Sequence, residues 1–92
     1  MATQPTSAVT EIRIVVLAFA RVREITGASE LERTVGALAT VNEVWAGLVA
    51  EMPGLTHFSS SIRFARNGQI VDADTALQDG DEVALLPPVS GG

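Results

Sequence analysis

The residues best suited to chemistry stand at the end of the chain. Residues 87–92 read Pro-Pro-Val-Ser-Gly-Gly, so two prolines with a fixed φ precede two residues without a Cβ atom. Such an ending can enter a narrow pocket as extended backbone, because Gly91 and Gly92 have no side chain to collide with its walls. The one reactive group that it delivers is the α-carboxylate of Gly92. We therefore expect the chemistry at Gly92, with Val89, Ser90 and Gly91 threading the tail into a partner.

Other reactive side chains are scarce. Cysteine is absent, which excludes a disulfide framework, a thiolate metal site and a cysteine nucleophile. His57 is the only histidine, so neither a multi-histidine metal site nor a serine–histidine pair with the serines at 59–61 gains clear support. The acidic run at residues 72–82 does not fit a calcium-binding loop. Counted from Asp72, the sixth position is Leu77, where such a loop needs glycine, and the twelfth is Val83, where it needs glutamate. We expect this chain to bind no metal and no cofactor.

Charge is distributed unevenly along the chain. The formal net charge is −5, and residues 1–66 are neutral because their six arginines balance six glutamates. The excess lies in five acidic residues near the end of the chain: Asp72, Asp74, Asp79, Asp81 and Glu82. An acidic chain argues against nucleic acid or an anionic membrane as partner, since both require a basic patch. We expect the acidic residues to surround the root of the tail, with Asp81 and Glu82 facing a basic partner surface.

One segment imitates a signal peptide. Residues 14–20 form an apolar run that ends in Ala-x-Ala. The first twelve residues contain no lysine or arginine, and the run is too short to cross a bilayer as a helix. A buried strand accounts for it better, and we expect a cytoplasmic protein.

The first half of the chain predicts the elements that carry this tail. Residues 1–10 are expected to form a flexible leader, and residues 11–20 are apolar on both faces, as in a central strand that is covered twice. Residues 21–26 fit one helical turn closed by Gly27. Alternation over residues 30–35 then predicts a half-exposed strand, paired antiparallel with the first.

The second half predicts one helix and three strands. Thr40 and Glu43 fit a capping box at the start of a helix over residues 41–52, whose apolar residues share one face, and Pro53-Gly54 ends it. Residues 62–66 and 69–71 flank Asn67-Gly68, a signal of a two-residue hairpin turn. The last strand covers residues 82–86, because the two prolines that follow have no N–H group for the sheet.

This order of elements predicts an α+β protein of the β-grasp, or ubiquitin-like, fold. We expect a mixed sheet of about five strands with one main helix packed across one face, in a domain of residues 11–88 followed by an extended tail of residues 89–92. In that fold the first and last strands are parallel neighbours. Their C-terminal ends meet at one edge of the sheet, which would bring Phe19 close to Leu85 and Leu86.

Three segments of the chain resemble the MoaD family, the small subunit of molybdopterin synthase. They are Phe-Ala-Arg-Val-Arg-Glu at residues 19–24, the Asn-Gly hairpin at residues 67–68, and Asp-Gly-Asp-Glu-Val-Ala-Leu-Leu-Pro-Pro-Val-Ser-Gly-Gly at residues 79–92. The resemblance covers residues 11–92, and its terminal motif is highly specific. Family members often carry aromatic residues where this chain has Leu85 and Leu86.

The resemblance implies a sulfur carrier that is not itself catalytic. A MoeB-type enzyme, of the ubiquitin-activating kind, would consume ATP to adenylate Gly92, and a sulfur donor would convert the adenylate to a thiocarboxylate. A large MoaE-type subunit, in a heterotetramer of two small and two large subunits, would pass the sulfur to cyclic pyranopterin monophosphate. The residues expected to contact these partners are Phe19, Arg23, Asp81, Glu82, Leu85, Leu86 and Pro87.

Three other functions remain open at this point. The chain could carry sulfur for thiazole or cysteine synthesis, although the full helix at residues 41–52 and the ending of the chain favour the molybdopterin pathway. It could be a ubiquitin-like modifier, joined through Gly92 to lysines of target proteins. It could also be a structural β-grasp module with an idle tail. Deletion of Gly91 and Gly92 separates the last function from the others.

Overall fold

The computed structural model describes residues 10–88. The predicted tail at 89–92, and the predicted leader except for Thr10, lie outside the described residues. The elements follow in chain order: β1 (Glu11–Ala18), α1 (Ala20–Thr26), β2 (Glu30–Gly36), α2 (Val41–Glu51), a 3₁₀ helix (Pro53–Phe58), β3 (Arg63–Arg66), β4 (Gln69–Val71) and β5 (Glu82–Leu86).

The five strands form one mixed sheet in the order β2-β1-β5-β3-β4. β1 and β5 are parallel central neighbours, whereas β1–β2, β3–β5 and β3–β4 are antiparallel pairs. This is the β-grasp topology, so the predicted α+β fold with a mixed five-stranded sheet is confirmed.

The main helix begins where its sequence signal places it. The Thr40 hydroxyl accepts a hydrogen bond from the N–H of Glu43 at 3.2 Å, and the Glu43 carboxylate accepts one from the N–H of Thr40 at 2.9 Å. This reciprocal capping box satisfies two N–H groups that a helix start otherwise leaves without partners. α2 buries the side chains of Val41, Val44, Trp45 and Leu48 against the sheet.

The core lies between α2 and one face of the sheet. Every second side chain of β1 is buried, beginning with Ile12 and ending with Ala18, while Val15 and Leu17 on the other face are only half-buried. The prediction that this strand is covered on both faces is therefore wrong. Its second face carries Glu11 and Arg13 in the first half of the strand and is apolar only at Val15 and Leu17.

The hairpin and helix-closing turns are also where the sequence predicts them. Asn67 and Gly68 have φ angles of 49° and 87°, the two consecutive positive values that a type I′ turn requires. Gly27 closes α1 with a φ of 80°. Among residues 10–88 no helix is long and apolar enough to span a membrane.

Candidate functional site

The tail leaves the domain at the edge of the sheet where its two central strands end. Ala18, the last residue of β1, lies opposite Leu85 of β5 in the parallel register. Phe19 and Leu86 therefore follow at the same edge, as predicted. The Phe19 side chain is 46% exposed and Leu86 is half-buried. These two side chains and the half-buried Pro87 form an accessible apolar surface at the root of the tail.

Leu85 does not belong to this surface. Successive side chains of a strand point to opposite faces of the sheet, and Leu85 points to the core with no exposed area. The prediction that Leu85 contacts a partner is wrong for this reason. Leu86, on the opposite face, remains accessible.

Three of the five acidic residues, Asp79, Asp81 and Glu82, lie away from the root of the tail. Glu82 begins β5 and Leu86 ends it, so about 13 Å of extended strand separates them. The prediction that the negative charge surrounds the root of the tail is therefore wrong for these three residues, whereas Asp72 directly follows β4, beside the end of β3 that pairs with Leu86. Asp79 is also engaged within the domain, since its carboxylate accepts a hydrogen bond from the N–H of Arg13 at 2.8 Å. Glu82 is exposed, but at the far end of β5.

Asp81 is a structural residue rather than a docking charge. Its side chain is buried, with one oxygen accepting from Asn67 Nδ2 at 2.9 Å and the other from the N–H of Gln78 at 2.8 Å. Arg66 Nε lies 3.7 Å from the same carboxylate. Asn67 also accepts from the N–H of Glu82 at 2.9 Å. Because its carboxylate is held inside the domain, the prediction that Asp81 faces a partner is wrong.

Basic side chains stand at the tail end instead. Arg63 pairs with Leu86 across β3 and β5, and Arg21 and Arg23 belong to the exposed face of α1. Arg21 lies 3.6 Å from Glu24, a pair that is largely exposed and therefore weak. The exposure of Arg23 agrees with its predicted contact to a partner, which remains a prediction. Both signs of charge occur at each end of β5: Arg13 and Arg66 lie near Asp79 and Asp81 where the strand begins, and Glu24 lies beside Arg21 at the tail end.

A cleft that the sequence analysis missed opens beside the root of the tail. Its volume is about 690 Å³, and it is lined by residues 19–21, His57, Phe58, Ser61 and residues 86–88. The 3₁₀ helix supplies one wall, anchored by Phe58, which is buried in the core. The available signals were Pro53 at the start of that helix and the spacing of three between Leu55 and Phe58.

Candidate metal ligands do not cluster in the described part of the chain: among residues 10–88 no three histidine or acidic side chains converge on a possible metal position. His57 is exposed and packs edge-to-face on Phe58, with ring centroids 5.6 Å apart. What the geometry provides is an apolar surface and a cleft at the sheet edge where the described residues end with Pro88.

Comparison with known proteins agrees with this geometry. The profile of the ThiS family matches residues 16–92, most of the domain together with the ending of the chain. The chain belongs to the ThiS family. Its similarity to the molybdopterin synthase sulfur carrier subunit of Chlamydomonas reinhardtii is 39% identity over 83 residues, covering 88% of this chain and all of that protein. The resemblance seen in the sequence is thereby confirmed.

Two solved structures show a similar architecture. The crystal structure of small archaeal modifier protein 1 from Haloferax volcanii has a TM-score of 0.78 and 32% identity, covering 87% of this chain and 99% of that one. The complex of subunits 1 and 2 of the molybdopterin-converting factor from Helicobacter pylori matches with a TM-score of 0.59 and 27% identity. That match covers 88% of this chain and all of the compared chain.

Proposed function

We propose that this chain is the sulfur carrier subunit of a molybdopterin synthase. The observation that supports this most strongly is that the ThiS-family match extends through residue 92, beyond the exposed Pro88 where the described domain ends. The domain serves as the platform, and the Gly92 carboxylate is the group that carries sulfur.

The chemistry proceeds in three steps. The Gly92 carboxylate attacks the α-phosphate of ATP on an activating enzyme, which forms an acyl-adenylate and releases pyrophosphate. A sulfur donor then displaces AMP and leaves a thiocarboxylate. Ionised at neutral pH, this group is a sulfur nucleophile in a chain that has no cysteine. Its sulfur forms a bond to an electrophilic carbon of the pyranopterin precursor, from which an oxygen substituent leaves. Hydrolysis of the acyl C–S bond then returns the Gly92 carboxylate and leaves the sulfur on the precursor; acid and base groups come from the partner.

The three-step scheme and the known structures of similar proteins indicate which partners this chain needs. A structure of the Helicobacter pylori relative contains subunits 1 and 2 of the molybdopterin-converting factor together, which supports a large subunit as partner here. We propose two small and two large subunits in the assembly and a MoeB-type activating enzyme that consumes ATP. This chain binds no cofactor in the scheme. Because activation consumes ATP, we place the reaction in the cytoplasm.

An apolar row across the sheet supplies a docking surface for these partners. Leu17, Ala84, Ala65 and Ile70 occupy paired positions on four neighbouring strands. They lie on the face opposite the core, and Ile70 is 62% exposed. With Leu86 on the same face, the row extends to the root of the tail. Leu17 and Ala84 are half-buried and Ala65 is buried, so the row is exposed chiefly at Ile70. A partly exposed apolar face of this kind fits a protein interaction site, which accounts for the apolar Val15 and Leu17 on the second face of β1.

The carrier chemistry predicts a defined change in mass. Incubation of the chain with the activating enzyme, ATP and a sulfur donor should raise its intact mass by about 16 Da, because sulfur replaces one carboxylate oxygen. Intact-protein mass spectrometry measures this change. Omission of ATP is the control, and an unchanged mass under the complete conditions would contradict the proposal. Conversion of the pyranopterin precursor with the large subunit then distinguishes molybdopterin synthesis from thiazole or cysteine synthesis.

A second candidate function is protein modification. It is favoured by the similarity to small archaeal modifier protein 1. In this function the amine of a target lysine attacks the acyl-adenylate of Gly92, so that an isopeptide bond forms and AMP leaves. The chain itself contains no lysine. One copy therefore has no side-chain amine to accept a second copy.

Absence of lysine predicts the size of any conjugates. Each modified lysine of a target should carry a single copy of the chain, because only an N-terminal amine could extend it. Gel mobility and peptide mapping after activation in a cell extract measure the number of copies per site. The comparison is the Arg13→Lys variant, whose exposed lysine supplies a side-chain amine that could accept a second copy. Chains of the unaltered protein linked through its own side chains would contradict this prediction.

A further inference from the structure

The cleft beside the root of the tail has the composition of a receptor for one side chain of a partner. Its apolar walls come from Phe19, Phe58 and Leu86, and its polar groups are the Arg21 guanidinium, the His57 imidazole and the Ser61 hydroxyl. Apolar pockets with a few placed polar groups are typical of binding sites. The 3₁₀ helix forms one wall, so this surface extends beyond the apolar row of the sheet.

The length of the tail determines what covers this cleft. Four residues follow Pro88, and they span at most about 14 Å when fully extended. A protein that holds Gly92 in its active site must therefore bring its surface within that distance of Pro88, which itself lines the cleft. Whatever receives the tail also lies over the cleft.

The basic side chains at and near the cleft favour contact with an acidic group of the partner. Arg21 lines the cleft, and Arg63 lies opposite Leu86 in the sheet register. Glu24 is the acidic side chain recorded near Arg21, at 3.6 Å in a largely exposed pair. Since exposed pairs exchange readily with solvent, Arg21 can turn to a carboxylate of a partner.

We propose that the cleft receives an apolar side chain of the large synthase subunit, and that a neighbouring carboxylate of that subunit contacts Arg21 or His57. This inference rests on the proposed function, because it requires the large subunit to hold the tail. It assigns a docking role to the 3₁₀ helix and places the electrostatic attraction at the cleft beside Arg21 and His57.

Filling the cleft tests the apolar contact. In Ser61→Trp the indole occupies space that the partner side chain needs, and the dissociation constant for the large subunit should rise at least tenfold. Ser60→Trp is the matched control, because Ser60 is an exposed neighbour that does not line the cleft. Isothermal calorimetry with the full chain measures both constants, and circular dichroism verifies that both variants fold. Equal constants for the two tryptophan variants would overturn the proposal.

Reversing one charge tests the polar contact without altering the core. Arg21→Glu should weaken binding roughly threefold or more at low salt, with a smaller effect at high salt. Arg13→Glu, a reversal away from the cleft, should leave the constant unchanged. If Arg13→Glu weakens binding as much as Arg21→Glu, the effect belongs to net charge and the proposal fails.

The kinetics of sulfur transfer test the cleft contact separately from the proposed carrier function. With thiocarboxylated chain, Ser61→Trp should raise KM for the carrier and leave kcat unchanged. If the unaltered chain does not convert the pterin precursor, the proposed function fails and this inference fails with it. If the unaltered chain converts it and Ser61→Trp shows the same KM, the inference alone fails. Tighter binding by Ser61→Trp would indicate that the cleft holds the chain's own tail, and would also contradict the proposal.

Discussion

Removal of Gly91 and Gly92 is expected to abolish thiocarboxylate formation and conversion of the pterin precursor. The new terminus at Ser90 would fall short of the reacting position by about 7 Å, and it would carry a side chain. Because displacement of a reacting group by even 1 Å can cost about a hundredfold in rate, no partial activity should remain. Mass spectrometry measures the first loss, and the pterin conversion assay measures the second.

The deletion should leave the domain intact. It lies outside residues 10–88, which contain the core, so the free energy of unfolding should change by less than about 0.5 kcal/mol. Ser90→Ala is the matched variant, since it keeps the length of the tail and should retain activity. Full activity of the deletion variant would show that the tail is idle and would restore the structural module as the function.

The fold was predictable because its local signals agree with one another. The capping box of Thr40 and Glu43 marks the start of the helix, and Asn67-Gly68 marks the hairpin. These signals fix the order of the elements, and the β-grasp topology follows from that order. The tail could be identified because the effects of glycine and proline on the backbone follow from the residue type alone and do not depend on how the chain packs.

The positions of the charges could not be read from the same patterns. Asp79, Asp81 and Glu82 are close to the tail in sequence. The five residues of β5, however, carry the chain from one end of the sheet to the other before Pro87. Sequence proximity therefore suggested an acidic surrounding, whereas pairing of β3 with β5 places Arg63 there instead. Charge near a site depends on which strands are neighbours, and that is a property of the sheet.

The cleft was hidden for a related reason. Its walls come from three segments that are far apart in the chain, and the 3₁₀ helix at Pro53–Phe58 lacks the long periodicity that marks a helix in sequence. Phe58 and Ser61 looked like parts of an irregular loop. Only the packing of Phe58 into the core brings His57 and Ser61 to the root of the tail.

Replacement of Asp81 by alanine is expected to destabilise the domain by about 2–4 kcal/mol. The carboxylate accepts hydrogen bonds from Asn67 Nδ2 and from the N–H of Gln78, and Arg66 is nearby. Alanine would leave these donors without their buried acceptor in part-buried hydrogen bonds, at the point where the hairpin and the turn before β5 meet. For a domain of this size the midpoint of thermal unfolding should fall by roughly 10–20 °C. Urea denaturation measures the free energy directly.

Two comparisons separate this structural role from a docking role. Glu82→Gln removes a neighbouring but exposed charge, so stability should change by less than about 0.5 kcal/mol. Asp81→Asn keeps one carbonyl oxygen as an acceptor and should have an intermediate effect. Below its unfolding transition, Asp81→Ala should bind the large subunit with the affinity of the unaltered chain, because Asp81 lies at the start of β5, away from the tail. Unchanged stability together with weaker binding would contradict the structural role and would mean that Asp81 contacts the partner.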